Sequence, residues 1–165
     1  MIFFSPSELP KNLLEKLSQK LKIDNIAVDR GDELTFFTDG GVKVTFLYYP
    51  FPSNFKLVET ESGLLLFPVK QIALQKAYTI GRRGEYRDYF DLYTILKTGQ
   101  VTLDELIIAA KQVYNSVFDE KLFLEQLVYF ADISNFEIIP VSHEPSPSSE
   151  EVQQYSEKLV STYIK

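Results

Sequence analysis

The chain has 165 residues, with a net charge of −6 at pH 7 and a pI near 4.9, so it lacks the basic field that broad nucleic-acid binding requires. Hydrophobic residues make up 45% and charged residues 24%, an ordinary balance for a globular protein, and Phe and Tyr supply a sizeable core. No apolar run reaches the roughly 18 residues of a membrane span, and the absence of cysteine excludes disulfides and thiolate metal sites, which fits a cytoplasmic protein.

Met1–Phe4 is a short apolar run that reads as a strand. Leu13, Leu14, Leu17 and Leu21 then recur at helical spacing and predict an amphipathic helix over Ser7–Lys22. From Ile23 the period changes. Ile26/Val28, Leu34/Phe36 and Val42/Val44/Phe46 alternate with polar neighbours around an Arg30-Gly31-Asp32 turn and an Asp39-Gly40-Gly41 hairpin. These predict three antiparallel strands, with two short ones at Phe55–Thr60 and Leu64–Phe67.

Helical spacing returns after Pro68. Val69, Ile72, Ala73, Ala77 and Ile80 form one face, interrupted by Lys76 where another apolar residue is expected. A helix over Glu85–Thr98 follows and Gly99 stops it. Thr102 caps Leu103–Tyr114 with Glu105 in the capping-box position, and Asp119 opens a helix to about Phe130. Phe136–Val141 reads as a strand and Ser142–Ser149 as a linker, in which His143, the one histidine, is solvated. Val152, Tyr155, Leu159 and Tyr163 share a face of a final helix. Strands followed by a helical block indicate an α+β fold, a small antiparallel sheet packed with a C-terminal helical block. The expected divisions are 1–67, 68–141 and 142–165.

The chemistry concentrates in RRGEYRDYFDLYTILK, residues 82–97. On a helical wheel the apolar residues of this helix cover an arc of about 220°. Asp91 lies with Arg87 on the polar face, and Asp88 at the edge of the apolar arc, where a carboxylate is costly without a partner. Two readings stand on spacing alone. The aspartates pair with Arg82, Arg83 or Arg87 and complement the helix dipole, or they belong to a site whose phosphate-attracting cluster is Lys76, Arg82, Arg83 and Arg87.

LQKAYTIGRRGEYRDYFDLYTILK resembles the helical motif of the AbiEii/AbiGii-type nucleotidyltransferase toxins, a Lys-led helix and RG turn before a Lys-Asp-aromatic-x-Asp-Leu-Tyr helix. Lys76 matches the lysine, Arg82-Arg83-Gly84 the turn, and Asp88, Asp91, Leu92 and Tyr93 the signature helix, with Arg87 where the family has lysine. GVKVTFLYYPF resembles the family's late palm strand, FFSPSELPKNLLEKL the segment after its catalytic strand, and LVYFADISNFE and EEVQQYSEKLV its C-terminal end. The resemblance implies a nucleotidyltransferase palm with a helical domain, NTP and Mg²⁺ as cofactors, Lys76 as a phosphate-binding lysine, and Asp88 and Asp91 as catalytic, site-organising carboxylates. It also implies a cognate antitoxin as a possible class of partner.

The same register departs from the family at its metal-binding acids. Ile2 stands at the second palm aspartate and Thr45 at the third carboxylate, while the first, with the glycine turn, falls before Met1. The expectation is therefore a truncated or degenerate nucleotidyltransferase-like protein that transfers no nucleotide alone and binds a nucleotide or a protein partner, with no metal ligands. The alternatives are an active enzyme completed by an upstream segment or a second chain, and a small structural or adaptor domain.

Overall fold

The structure is a computed structural model that describes residues 1–80, 82–139 and 146–165. His143 and the end of the expected strand at Phe136–Val141 lie outside the described residues. The chain folds into two compact units, Met1–Pro52 and Ser53–Lys165, rather than dividing after residue 67.

The first unit is a four-stranded sheet with one helix. Strands β1 (Ile2–Ser5), β2 (Ile23–Asp29), β3 (Glu33–Thr38) and β4 (Lys43–Tyr48) lie in the order β1-β4-β3-β2. The β2–β3 and β3–β4 pairs are antiparallel, as the alternation predicts. β1 corrects the expectation of an antiparallel sheet: it runs parallel to β4, pairing Ile2 with Thr45 and Phe3 with Phe46, so the sheet is mixed. Parallel partners are joined by long crossovers, and the segment between β1 and β4 contains a helix and two strands, a separation that local periodicity does not report.

Alternation places Leu34, Phe36 and Val44 in a core with Leu9, against which Phe3, Leu13, Leu14, Leu17 and Phe46 pack. Thr35 and Thr45 fall on the opposite face and are buried. The Thr35 hydroxyl donates to Glu33 Oε1 at 2.7 Å, so the 2.9 Å bond between the two threonines has Thr45 as donor. Helix α1 is only Leu13–Ser18, much shorter than Ser7–Lys22. Pro10 precedes its first turn, and past Ser18 both Lys20 and Leu21 donate to Leu17 O in a closing turn.

In the second unit, β5 (Val58–Glu59) and β6 (Leu65–Leu66) form a two-residue hairpin, shorter than the strands expected. Helices α2 (Val69–Thr79), α3 (Tyr86–Lys97), α4 (Leu103–Tyr114), α5 (Glu120–Leu127) and α6 (Ser149–Tyr163) follow. The caps match the sequence reading. Thr102 Oγ1 accepts from Glu105 N at 3.2 Å while Glu105 Oε2 accepts from Thr102 N at 3.0 Å, and Asp119 Oδ1 accepts from Leu122 N at 2.8 Å. Gly99 ends α3 at φ +69°, a conformation that suits glycine. Residues 136–139 form no strand.

α3 is the hub of this unit. Tyr86, Tyr89, Leu92, Tyr93, Ile95 and Leu96 are buried, against α2 on one side and α6 on another. The α6 contact is polar at its rim: Tyr93 Oη donates to Glu151 Oε1 at 2.6 Å, and Lys97 Nζ donates to the same carboxylate at 2.7 Å. Phe90, one of the aromatic residues of the apolar arc, is only half-buried, because the wheel gives the width of that arc but not how far neighbouring elements cover it. Leu92 is fully enclosed. Leu92→Ala is expected to destabilise the second unit by about 2–5 kcal/mol in urea denaturation, and Phe90→Ala by clearly less.

Candidate functional site

The backbone turns between α2 and α3 through a bridge that pairs Ile80 with Arg83. Gly84 belongs to this turn because a Cβ there would sit 3.2 Å from Asp132 O, so a side chain would push the turn off the segment after α5. The turn places Arg83 over the first turn of α3, and α2 carries Lys76 to the same point.

Asp88 is the centre. Its side chain is 0% exposed, and both its oxygens are satisfied. Oδ1 accepts from Lys76 Nζ at 2.8 Å and Arg83 Nη2 at 3.0 Å; Oδ2 accepts from Arg83 Nε at 2.7 Å. The Arg83 contact is bidentate, the geometry in which guanidinium and carboxylate pair most strongly. Burial alone would push the Asp88 carboxyl up, but the bonds from Arg83 and Lys76 outweigh it and hold the group below the usual carboxylate range. Arg83 is correspondingly raised by its bonds to Asp88.

Lys76 makes a second ion pair, 2.5 Å from Asp91 Oδ2. The two aspartates differ in kind: Asp91 is 44% exposed, so water can replace its partner, whereas Asp88 has no access to water. Lys76 itself is 17% exposed. Tyr89, between the aspartates, anchors α3 by donating to Gln126 O at 3.2 Å and Tyr129 O at 3.1 Å, and burial pushes its hydroxyl up to about 12.

Of the six residues singled out in the sequence, four meet here: Lys76, Arg83, Asp88 and Asp91. Arg82 faces elsewhere. Its guanidinium donates to Tyr78 O at 2.6 Å and Val117 O at 3.0 Å and lies over the Tyr78 ring, closing the end of α2. Arg87 is exposed, with Glu85 at 3.7 Å as its ion pair.

Sequence reasoning passed over two features. Gln71 is fully buried on α2, its Oε1 accepting from Asn54 N at 3.0 Å and Ser53 Oγ at 3.3 Å, and its Nε2 has no hydrogen-bond partner. A groove of about 500 Å³ opens beside Asp91 on the outer face of α3, lined also by Arg87, Phe90, Asn135 and Glu137. An expected strand at Phe136 hid the groove, since its far wall is non-repetitive chain.

Among the described residues no arrangement of side chains fits a divalent metal centre. No carboxylate stands at Ile2 or Thr45, no described residues form a group of three or more His, Asp or Glu able to hold a metal, and the space between Asp88 and Asp91 is bridged by an ammonium. Two divalent ions on a triphosphate need several direct oxygen ligands.

An uncharacterized protein of Aquifex aeolicus strain VF5, aq_aa25, is 28% identical to this chain over 165 residues, covering 94% of this chain and 75% of the relative. No protein-family model and no solved structure matches the chain. No helix among the described residues is long and apolar enough to cross a membrane.

Breaking the buried pair leaves its cations facing an uncharged group. Asp88→Asn is expected to destabilise the protein by about 3 kcal/mol at neutral pH, the low end for such pairs because the Arg83 side chain is half-exposed. A carboxyl lowered on folding stabilises above its unfolded pKa of about 3.9 and loses that contribution as pH falls through its folded value. Urea midpoints of the two proteins should therefore differ by a constant amount from neutral pH to about pH 4.5, then converge in stronger acid.

Proposed function

We propose that this chain is a nucleotidyltransferase-like protein of the AbiEii/AbiGii type that has Ile2 and Thr45 at two of the palm's metal-binding positions, transfers no nucleotide by itself, and binds the phosphates of a nucleotide through Lys76. The observation that carries this reading is the pairing of Ile2 with Thr45 on adjacent parallel strands. Ile2 and Thr45 fall at metal-acid positions in two separate stretches of resemblance, and acids serving one metal centre need neighbouring places. Their juxtaposition supports that register, and neither side chain is a carboxylate.

The second unit supports the phosphate reading. Arg83 contacts both oxygens of Asp88, so the buried carboxylate remains paired if Lys76 shifts. The partner Lys76 would exchange for a phosphate oxygen is Asp91, which water can solvate. Binding therefore swaps one exposed carboxylate for another anion and is weak. No step of transfer follows, because among the described residues no group of carboxylates holds a divalent ion to activate an acceptor hydroxyl. A protein partner such as a cognate antitoxin is compatible with the same loss of catalysis.

A second reading is favoured by the full burial of Asp88: the cluster only clamps α2 to α3 in a structural or adaptor domain. One experiment separates the three readings. The chain and its Lys76→Ala variant are titrated with NTPs with and without Mg²⁺, then incubated with radiolabelled NTPs and a mixed RNA pool. The expected result is weak NTP binding that Mg²⁺ does not enhance and that Lys76→Ala abolishes, with no label transferred. Absence of binding would favour the clamp. Label incorporation lost in Lys76→Ala would favour an active transferase.

A further inference from the structure

We infer that the groove beside Asp91 is a nucleobase subsite in which Glu137 selects bases that carry an exocyclic amine over uracil; this rests on the nucleotide reading above. Arg87, Phe90 and Asp91 are spaced i, i+3 and i+4 on α3, so one helix face forms a wall of the groove. The other wall is held by a local bond: Asn135 Oδ1 accepts from Glu137 N at 2.8 Å. With its oxygen so engaged, the Asn135 amide has its N–H₂ group to offer, and among the described residues the Glu137 carboxylate has neither an ion pair nor a hydrogen-bond donor.

The volume, about 500 Å³, falls in the range of small-molecule sites. Asp91 joins the groove to Lys76, so a ligand whose phosphate displaced Asp91 would extend its other end along this wall. The contents suit a flat ring with a donor edge. Phe90 offers an aromatic surface for stacking, worth most to planar heterocycles. Asp91 is already paired with Lys76, which among the described residues leaves Glu137 as the unpaired anion of the groove and Arg87 as a cation with a distant, exposed partner. A cationic ligand would meet Arg87, whereas a neutral base meets no like charge at Arg87 or Glu137.

A carboxylate reads donors. Adenine, cytosine and guanine each present an exocyclic N–H₂ to it. Uracil presents one N–H flanked by two carbonyl oxygens, which a carboxylate repels. The groove therefore discriminates by charge at one edge of the ring rather than by size.

The experiment is a calorimetric titration of ATP, CTP, GTP and UTP, without divalent metal, into the chain and its Glu137→Gln variant. Glu137 is exposed, so this substitution does not threaten the fold. The three amine-bearing nucleotides should bind about tenfold tighter than UTP, the scale of one charge-assisted hydrogen bond. Glu137→Gln should reduce that ratio to about twofold, because an amide can turn to donate to a uracil carbonyl. Equal binding of all four nucleotides, or selectivity that survives Glu137→Gln, would overturn the subsite while leaving the Lys76 reading in place. Failure of every nucleotide to bind would overturn both.

Discussion

A carboxylate with no access to water must be neutralised where it stands, and Asp88 imposes that requirement on everything near it. Two cations meet it from different elements, Lys76 from α2 and Arg83 from the turn that follows. To deliver both, α2 and α3 must lie side by side, and the turn must be tight enough to bring Arg83 back over the start of α3. Gly84 permits that tightness against Asp132 O. The pairing is weak evidence for net stability, since two desolvated charges cost nearly what they gain. Its value is specificity: an apolar residue at 88 would bury as well, but would not dictate which lysine and which arginine converge there.

The asymmetry between the aspartates follows from the same constraint. Asp88 is locked by a bidentate arginine and contributes to the fold. Asp91, one turn later, lies where solvent reaches and shares only the lysine. A lysine held between a permanent and a replaceable partner is positioned in advance for an anion. It remains available only because Arg83 suffices for Asp88. The groove beyond Asp91 runs along Arg87, Phe90 and Asp91 of α3, none of which the packing of that helix fully buries.

Much of this was legible in the sequence, for identifiable reasons. Asp88 at the edge of an apolar arc signalled a buried carboxylate, and a basic turn a few residues upstream supplied the partner, because such pairs are local. Lys76 interrupts an otherwise apolar face, a pattern that a solvated face explains equally well, and only the fold puts it 17% exposed between two carboxylates. The choice between Arg82 and Arg83 was not legible. They are identical in type and adjacent, and what separates them is the carbonyl of Val117, a contact across 35 residues of chain. The parallel pairing of β1 with β4 was hidden for the same reason: a strand's alternation reports its faces, not its neighbour. α1 was overestimated because leucine spacing continues past Ser18 after the backbone has stopped being helical.

Phosphate binding requires Lys76 to be exchangeable, and Asp91 is where this is decided most directly. The measurement is the affinity of metal-free ATP for the chain and for Asp91→Asn, with urea midpoints recorded alongside. If Asp91 competes with phosphate for Lys76, removing its charge should tighten binding about two- to fivefold, the scale of a half-exposed ion pair, while the midpoint barely moves. Unchanged or weaker binding in Asp91→Asn, with the fold intact, would contradict the exchange and leave the cluster as a clamp between two helices.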